Sequence, residues 1–236
     1  MISPRDAIYL GHLGPIPLYA HWSALMMVVL AFMFSQGGSS FNLPSFLLVL
    51  TVLLKGLILH ELGHGLTAKA LGATGVTITL WAFGGLCQSH RDQTPGREFL
   101  IVAAGPAVSF LLAGIGYGTH YYLLQYPPEF LRNSNDLASV LLPFLYLMGK
   151  INLVLGIFNM LPIFPLDGGQ LVYNGALMFT RNHLLVRQVC LTLSVFGALA
   201  FVLFRFHQAG NQINEMVIFS AFIMFWLVSD AYRYLR

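Results

Sequence analysis

The sequence predicts a mainly α-helical polytopic membrane protein, with about six transmembrane helices and a short β segment between the second and third. Three observations carry that expectation. Of 236 residues, 57% are hydrophobic and 9% charged, a balance that excludes an ordinary soluble domain. Asp, Glu, Lys and Arg are all missing from residues 7–54, 99–128, 137–149, 151–166 and 188–204. The basic residues, finally, gather at alternate ends of the apolar runs.

Read in order, the spans fall at 18–34, 46–70, 98–124, 138–161, 188–206 and 215–232, each near the 17–25 apolar residues a crossing helix needs. Pro15 and Pro17 mark the entry of the first. It lacks a clear small-x-small cleavage site, and only Arg5 makes a positive n-region, so it reads as a retained span rather than a signal peptide. Between spans two and three, Val76, Ile78 and Leu80 alternate with Thr77, Thr79 and Trp81, the period of a strand. Gly84 and Gly85 follow as a turn or a close backbone approach. No connecting loop has room for a further globular domain, so residues 1–236 read as a single integral-membrane domain.

Charge sets the expected orientation. With a cytoplasmic N-terminus, Arg5, Lys69, Arg91, Arg97, Arg181, Arg187, Arg233 and Arg236 fall inside, against Arg132 and Arg205 outside. Lys55 and Lys150 lie within spans. The formal charge of +3 is therefore a topology signal, and no basic cluster exceeds two residues, which argues against a nucleic-acid partner. Cys87 and Cys190 form neither a C-x-x-C pair nor a disulfide framework.

The chemistry sits in the second span, as His60-Glu61-Leu62-Gly63-His64. Residues four apart share a helix face, so both imidazoles can address one metal ion, with Glu61 beside them as a general base. Histidines in a membrane bundle also form interhelical hydrogen bonds, the competing structural reading. Downstream runs Asn159-Met160-Leu161-Pro162-Ile163-Phe164-Pro165-Leu166-Asp167-Gly168-Gly169. The prolines should end the fourth span, and the glycines should permit unusual backbone angles after Asp167. Asp167 then reads either as a third metal ligand at the same end of the bundle or as a turn opening an interfacial helix. Two histidines and a carboxylate would leave a fourth tetrahedral position open, the arrangement of a catalytic zinc site.

Together, the membrane-embedded H-E-x-x-H and the downstream N-x-x-P-x-x-P-L-D-G-G resemble the site-2 protease family of intramembrane zinc metalloproteases, in a compact form without PDZ or CBS modules. The resemblance extends to the Gly84-Gly85 loop and to Gly105-Pro106. It implies one Zn2+ per chain on His60, His64 and Asp167, Glu61 as base, and Asn159 assisting the reacting carbonyl. Asn159 could alternatively cap a helix or bond across helices. Ser109 stands where the family often has an asparagine after its Gly-Pro.

The expected activity is hydrolysis of a peptide bond in or near a transmembrane segment of a membrane protein. A helical substrate hides its carbonyls and must unwind. Residues Val76, Thr77, Ile78, Thr79, Leu80 and Trp81 are expected to pair with the extended substrate, with Gly84 and Gly85 giving it room. The alternatives are a membrane zinc protease that clears remnant signal peptides or membrane-adjacent peptides, and a non-proteolytic metal-binding scaffold. Retention of Glu61 argues against the scaffold, because ligation alone does not require it. The expected setting is a bacterial inner membrane with the site towards the cytoplasm. Expected partners are the lipid bilayer and a membrane protein or peptide as substrate; whether a regulatory membrane partner exists is left open by the sequence.

Overall fold

A computed structural model describes residues 7–36, 42–82, 84–90 and 94–235. Arg5, Arg91 and Arg236 of the charge argument lie outside the described residues. The protein is mainly helical with one small sheet. Among the described residues, five helices are long and apolar enough to cross a membrane: Leu43–Ala70, Pro95–Gln125, Asp136–Asn159, His183–Gln208 and Glu215–Arg233. They coincide with predicted spans two to six. The chain divides into two compact units, Met1–Asp92 with Ala104–Gly156, and Gln93–Ala103 with Ile157–Arg236.

The first unit begins with a hairpin, β1 (Ala7–Leu13) and β2 (Ile16–His21), turning at Gly14 with φ +57°. After a 3-10 turn at Trp22–Ala24, helix α1 runs Leu25–Gln36 and α2 runs Leu43–Ala70. Strands β3 (Thr74–Trp81) and β4 (Gly84–His90) complete a four-stranded sheet in the order β1-β2-β3-β4. β2 pairs with β3 in parallel, Leu18, Tyr19 and Ala20 facing Ile78, Thr79 and Leu80. β3 pairs with β4 antiparallel, Leu80 against Gly85 and Trp81 against Gly84.

Two expectations change here. Residues 18–21 are strand, not the start of a helix: their partner lies some sixty positions away, out of reach of a local reading. Nor is β3 an open edge. β2 occupies one side of it and β4 the other, and Val76, Ile78, Thr79 and Leu80 are buried. Among the described residues, the edges of the sheet are β1 and β4.

Helix α2 organises this unit. Asn42 caps it, its side chain accepting from Ser45 N at 3.0 Å, and Pro44 sits in the first turn. It ends at Leu71, followed by Gly72 at φ +91°, the left-handed position that stops helices. At about 1.5 Å per residue its 28 residues exceed a bilayer's hydrocarbon core. One face packs on the sheet: a Cβ at Gly65 would lie 2.8 Å from Ile16 Cδ1 and 3.5 Å from Cys87 Sγ. Another face meets α3 (Pro95–Gln125), where a Cβ at Gly63 would lie 2.8 Å from Ala104 O. Small residues at such crossings let backbones approach in an apolar medium that gives little hydrophobic drive. A third face meets α5 (Asn135–Asn159), reached through the short α4 (Glu129–Arg132), at Gly56 and the buried Asn152.

In the second unit, α6 (Asp167–Phe179) precedes α7 (His183–Gln208) and α8 (Glu215–Leu235). Val186, Cys190, Ser194 and Ala198 recur every four residues as a buried stripe of α7. Phe164, Val186, Cys190, Ala231 and Leu235 pack as one cluster, and Ile163, Ala198, Met224 and Leu227 as another. Cys190 is thus core, and neither cysteine forms a disulfide.

Candidate metal centre

His60, Glu61 and His64 are 2%, 6% and 8% exposed, so three ionisable groups sit in the interior of a membrane-length helix. Such groups are costly in hydrocarbon and mark function by default. The imidazoles converge, His60 Nε2 lying 3.2 Å from His64 Nε2 with ring planes at 80°. Two nitrogens, each about 2.0–2.1 Å from a tetrahedral zinc, would stand about 3.3 Å apart. The pair therefore fits a shared metal.

Helix α3 leaves the space that a metal would need. A Cβ at Gly105 would lie 2.8 Å from His60 Nε2 and closer still to His64 Nε2. Any side chain there would occupy the position both nitrogens address. One turn on, Ser109, fully buried, places its Oγ 2.9 Å from His60 Nδ1. Neither role is evident from the sequence, where Gly105 precedes Pro106 and Ser109 follows in the same apolar run. The available signal was their spacing of four, which puts them on one face of α3.

Strand β4 closes over Glu61. A Cβ at Gly85 would lie 2.7 Å from Glu61 Oε1 and collide with its Cγ. Gly84, at φ +145°, enters the strand in a conformation that favours glycine. Of the expected substrate-contacting residues, Gly84 and Gly85 thus lie on the strand beside Glu61, whereas Val76, Thr77, Ile78, Thr79, Leu80 and Trp81 form the interior strand behind it. His21, a further histidine near the first span, bonds to Ser23 Oγ at 2.7 Å, and that oxygen also accepts from Ala82 N at 3.1 Å. Its observed contacts are structural.

In the second unit, Asn159 is the last residue of α5, and Asp167, 8% exposed, is the first of α6. The intervening turn is anchored: Phe164 N donates to Ser194 Oγ at 2.9 Å, and Gln170 Nε2 donates to Pro165 O at 2.8 Å. The glycines after Asp167 are explained by space, not by the unusual angles expected, since neither has a positive φ. A Cβ at Gly169 would lie 2.5 Å from Phe164 N, and one at Gly168 would strike the carbonyls of Met160 and Leu161. The loop can fold onto the first turn of α6 only if that turn has no side chains there. Asp167 opens the helix as the turn reading expected, and its carboxylate stands at the positive end of the helix dipole.

The fold and this centre define an integral membrane protein with a buried imidazole pair arranged for one metal ion. Residues 45–203 match Peptidase family M50, and the chain belongs to that family. It is similar to Rip3 of Mycobacterium tuberculosis, assigned by name to the zinc metalloproteases: 33% identity over 179 residues, 71% of this chain and 43% of that protein. It is also similar to a zinc metalloprotease of Methanocaldococcus jannaschii, with 29% identity over 211 residues, 89% of this chain and 56% of the other. The chain thus spans about half the length of the curated relatives it matches. Among solved structures it resembles a site-2 protease from Methanocaldococcus jannaschii, with a TM-score of 0.63 and 25% identity, covering 98% of this chain and 95% of that one.

Proposed function

We propose that the protein is an intramembrane zinc metalloendopeptidase that hydrolyses a peptide bond in or near a transmembrane segment of another membrane protein. The observation that carries this reading is the convergence of His60 Nε2 and His64 Nε2, at 3.2 Å, on the space that Gly105 leaves open. Asp167 supplies the third donor, a buried carboxylate in the Asp-Gly-Gly segment. One Zn2+ per chain bound by these three would lower the pKa of water towards about 7 and polarise the scissile carbonyl.

The chain's own residues do the rest. Glu61 takes the proton of the attacking water and passes it to the leaving amine, a role worth about 10²–10⁴ in rate. The Asn159 amide donates a hydrogen bond to the oxyanion as it develops. The substrate unwinds locally and pairs along β4, the edge strand that passes Glu61 at Gly84 and Gly85. This moves the pairing edge one strand outward from the 76–81 segment, which then backs the substrate strand.

The reading places residues 1–236 in a single membrane domain, with α1 and its preceding turn as a sixth, short membrane segment. It sets the N-terminus and the centre on the cytoplasmic side of a bacterial inner membrane, supported by the arginine and lysine bias. The test uses protein reconstituted in liposomes with a single-span substrate, stripped of metal and then reloaded with zinc. Cleavage that disappears on stripping and returns with zinc is the expected result; cleavage indifferent to metal would overturn the reading.

A further inference from the structure

Ser109 is the one fully buried hydroxyl that faces the candidate centre among the described residues, and the proposed chemistry leaves it without a task. We propose that Ser109 is the positioning residue of His60: its hydroxyl holds Nδ1 so that the Nε2 lone pair is presented to the metal. This inference rests on the zinc reading of the His60–His64 pair.

A neutral imidazole carries one N–H, and the nitrogen without it is the one that can ligate. For His60 to ligate through Nε2, its proton must sit on Nδ1 and find an acceptor. Ser109 Oγ, at 2.9 Å, is placed to accept it. Without metal, His60 Nε2 and His64 Nε2 face each other at 3.2 Å, and one of them can donate to the other. A serine hydroxyl both donates and accepts. It therefore satisfies Nδ1 in either tautomer and accepts once zinc is bound. A carbonyl or carboxylate at that place could only accept, and a methyl group could do neither.

Both ends of the ring are governed from α3. Gly105 clears the space at Nε2, and Ser109, one turn later on the same face, holds Nδ1. With His60 only 2% exposed, water has little access to replace the missing partner. Groups that accept a ligating histidine's second N–H typically strengthen metal affinity by about 10–100-fold.

The test compares zinc affinity of the purified full chain in detergent, by competition with a chelator, together with melting of the metal-free protein. Ser109→Thr and Ser109→Val have the same shape and differ in the hydroxyl, so the pair separates bonding from packing; Ser109→Ala adds a smaller replacement. Threonine should bind zinc near the wild-type level, with valine and alanine about 10–100-fold weaker. A packing role would move the metal-free melting temperature while leaving zinc affinity alone. Equal affinities for the threonine and valine variants, or wild-type affinity in the alanine variant, would overturn the assignment. Should the wild type itself take up no zinc, the failure lies in the zinc reading, which His60→Ala tests independently.

Discussion

Gly105 contributes as much to the candidate centre as the histidines, because a ligand position must be empty as well as surrounded. Gly105→Ala puts a methyl 2.8 Å from His60 Nε2, within the space between the two imidazoles. Expected is loss of zinc from a chain that stays folded, since alanine is the better helix former by about 1 kcal/mol; metal analysis and circular dichroism together check it. His60→Ala and His64→Ala should each weaken zinc by more than the roughly 10–100-fold that loss of an outer partner costs. Retention of zinc by either at wild-type affinity would count against the paired-ligand assignment. The ligand motif was legible in the sequence because helical spacing alone puts positions 60 and 64 together. Ser109 and Gly105 were not, since their contacts cross between helices and depend on the packing of α2 against α3.

At the scale of elements, the sheet is the main departure from the sequence reading. The alternation of Val76, Ile78 and Leu80 marked β3 correctly, but the local pattern does not reveal its neighbours. β2 was hidden inside an apolar stretch, where Leu18 and Ala20 continue without a charge into α1. Its partner Ile78 to Leu80 is a parallel strand reached through all of α2. With β3 interior, Thr79→Pro removes a ladder N–H and leaves a buried acceptor unpaired, at a cost of about 1–3 kcal/mol. A lowered melting temperature is expected, and unchanged stability would show that the ladder at Thr79 bears little weight. Under the proposed function, Gly85→Ala acts on chemistry instead. Its methyl must displace Glu61, and misplacement of a reacting group by about 1 Å costs about 100-fold in rate. Zinc content should be unchanged in that variant; full activity would mean that Glu61 has another position from which to work.

For the whole molecule, the long helices were plain in the sequence. The five candidate spans of the structure lie within a few residues of predicted spans two to six, because apolar length is written locally. The first predicted span was less legible, since a strand and a 3-10 turn take up its beginning and α1 has 12 residues. Anchoring of the 160–166 turn by Ser194 was equally hidden, being a contact between a loop and a helix thirty residues later.

The proposed function makes Glu61 the base for hydrolysis within a membrane segment. Its most direct test is mass spectrometry of a single-span substrate incubated in liposomes with wild type and Glu61→Gln, matched for zinc content. A new terminus is expected within or beside the substrate's apolar segment, formed by wild type and slowed about 10²–10⁴-fold by the glutamine variant. A cut made at the same rate by both proteins, or one confined to soluble regions distant from the membrane, would contradict it.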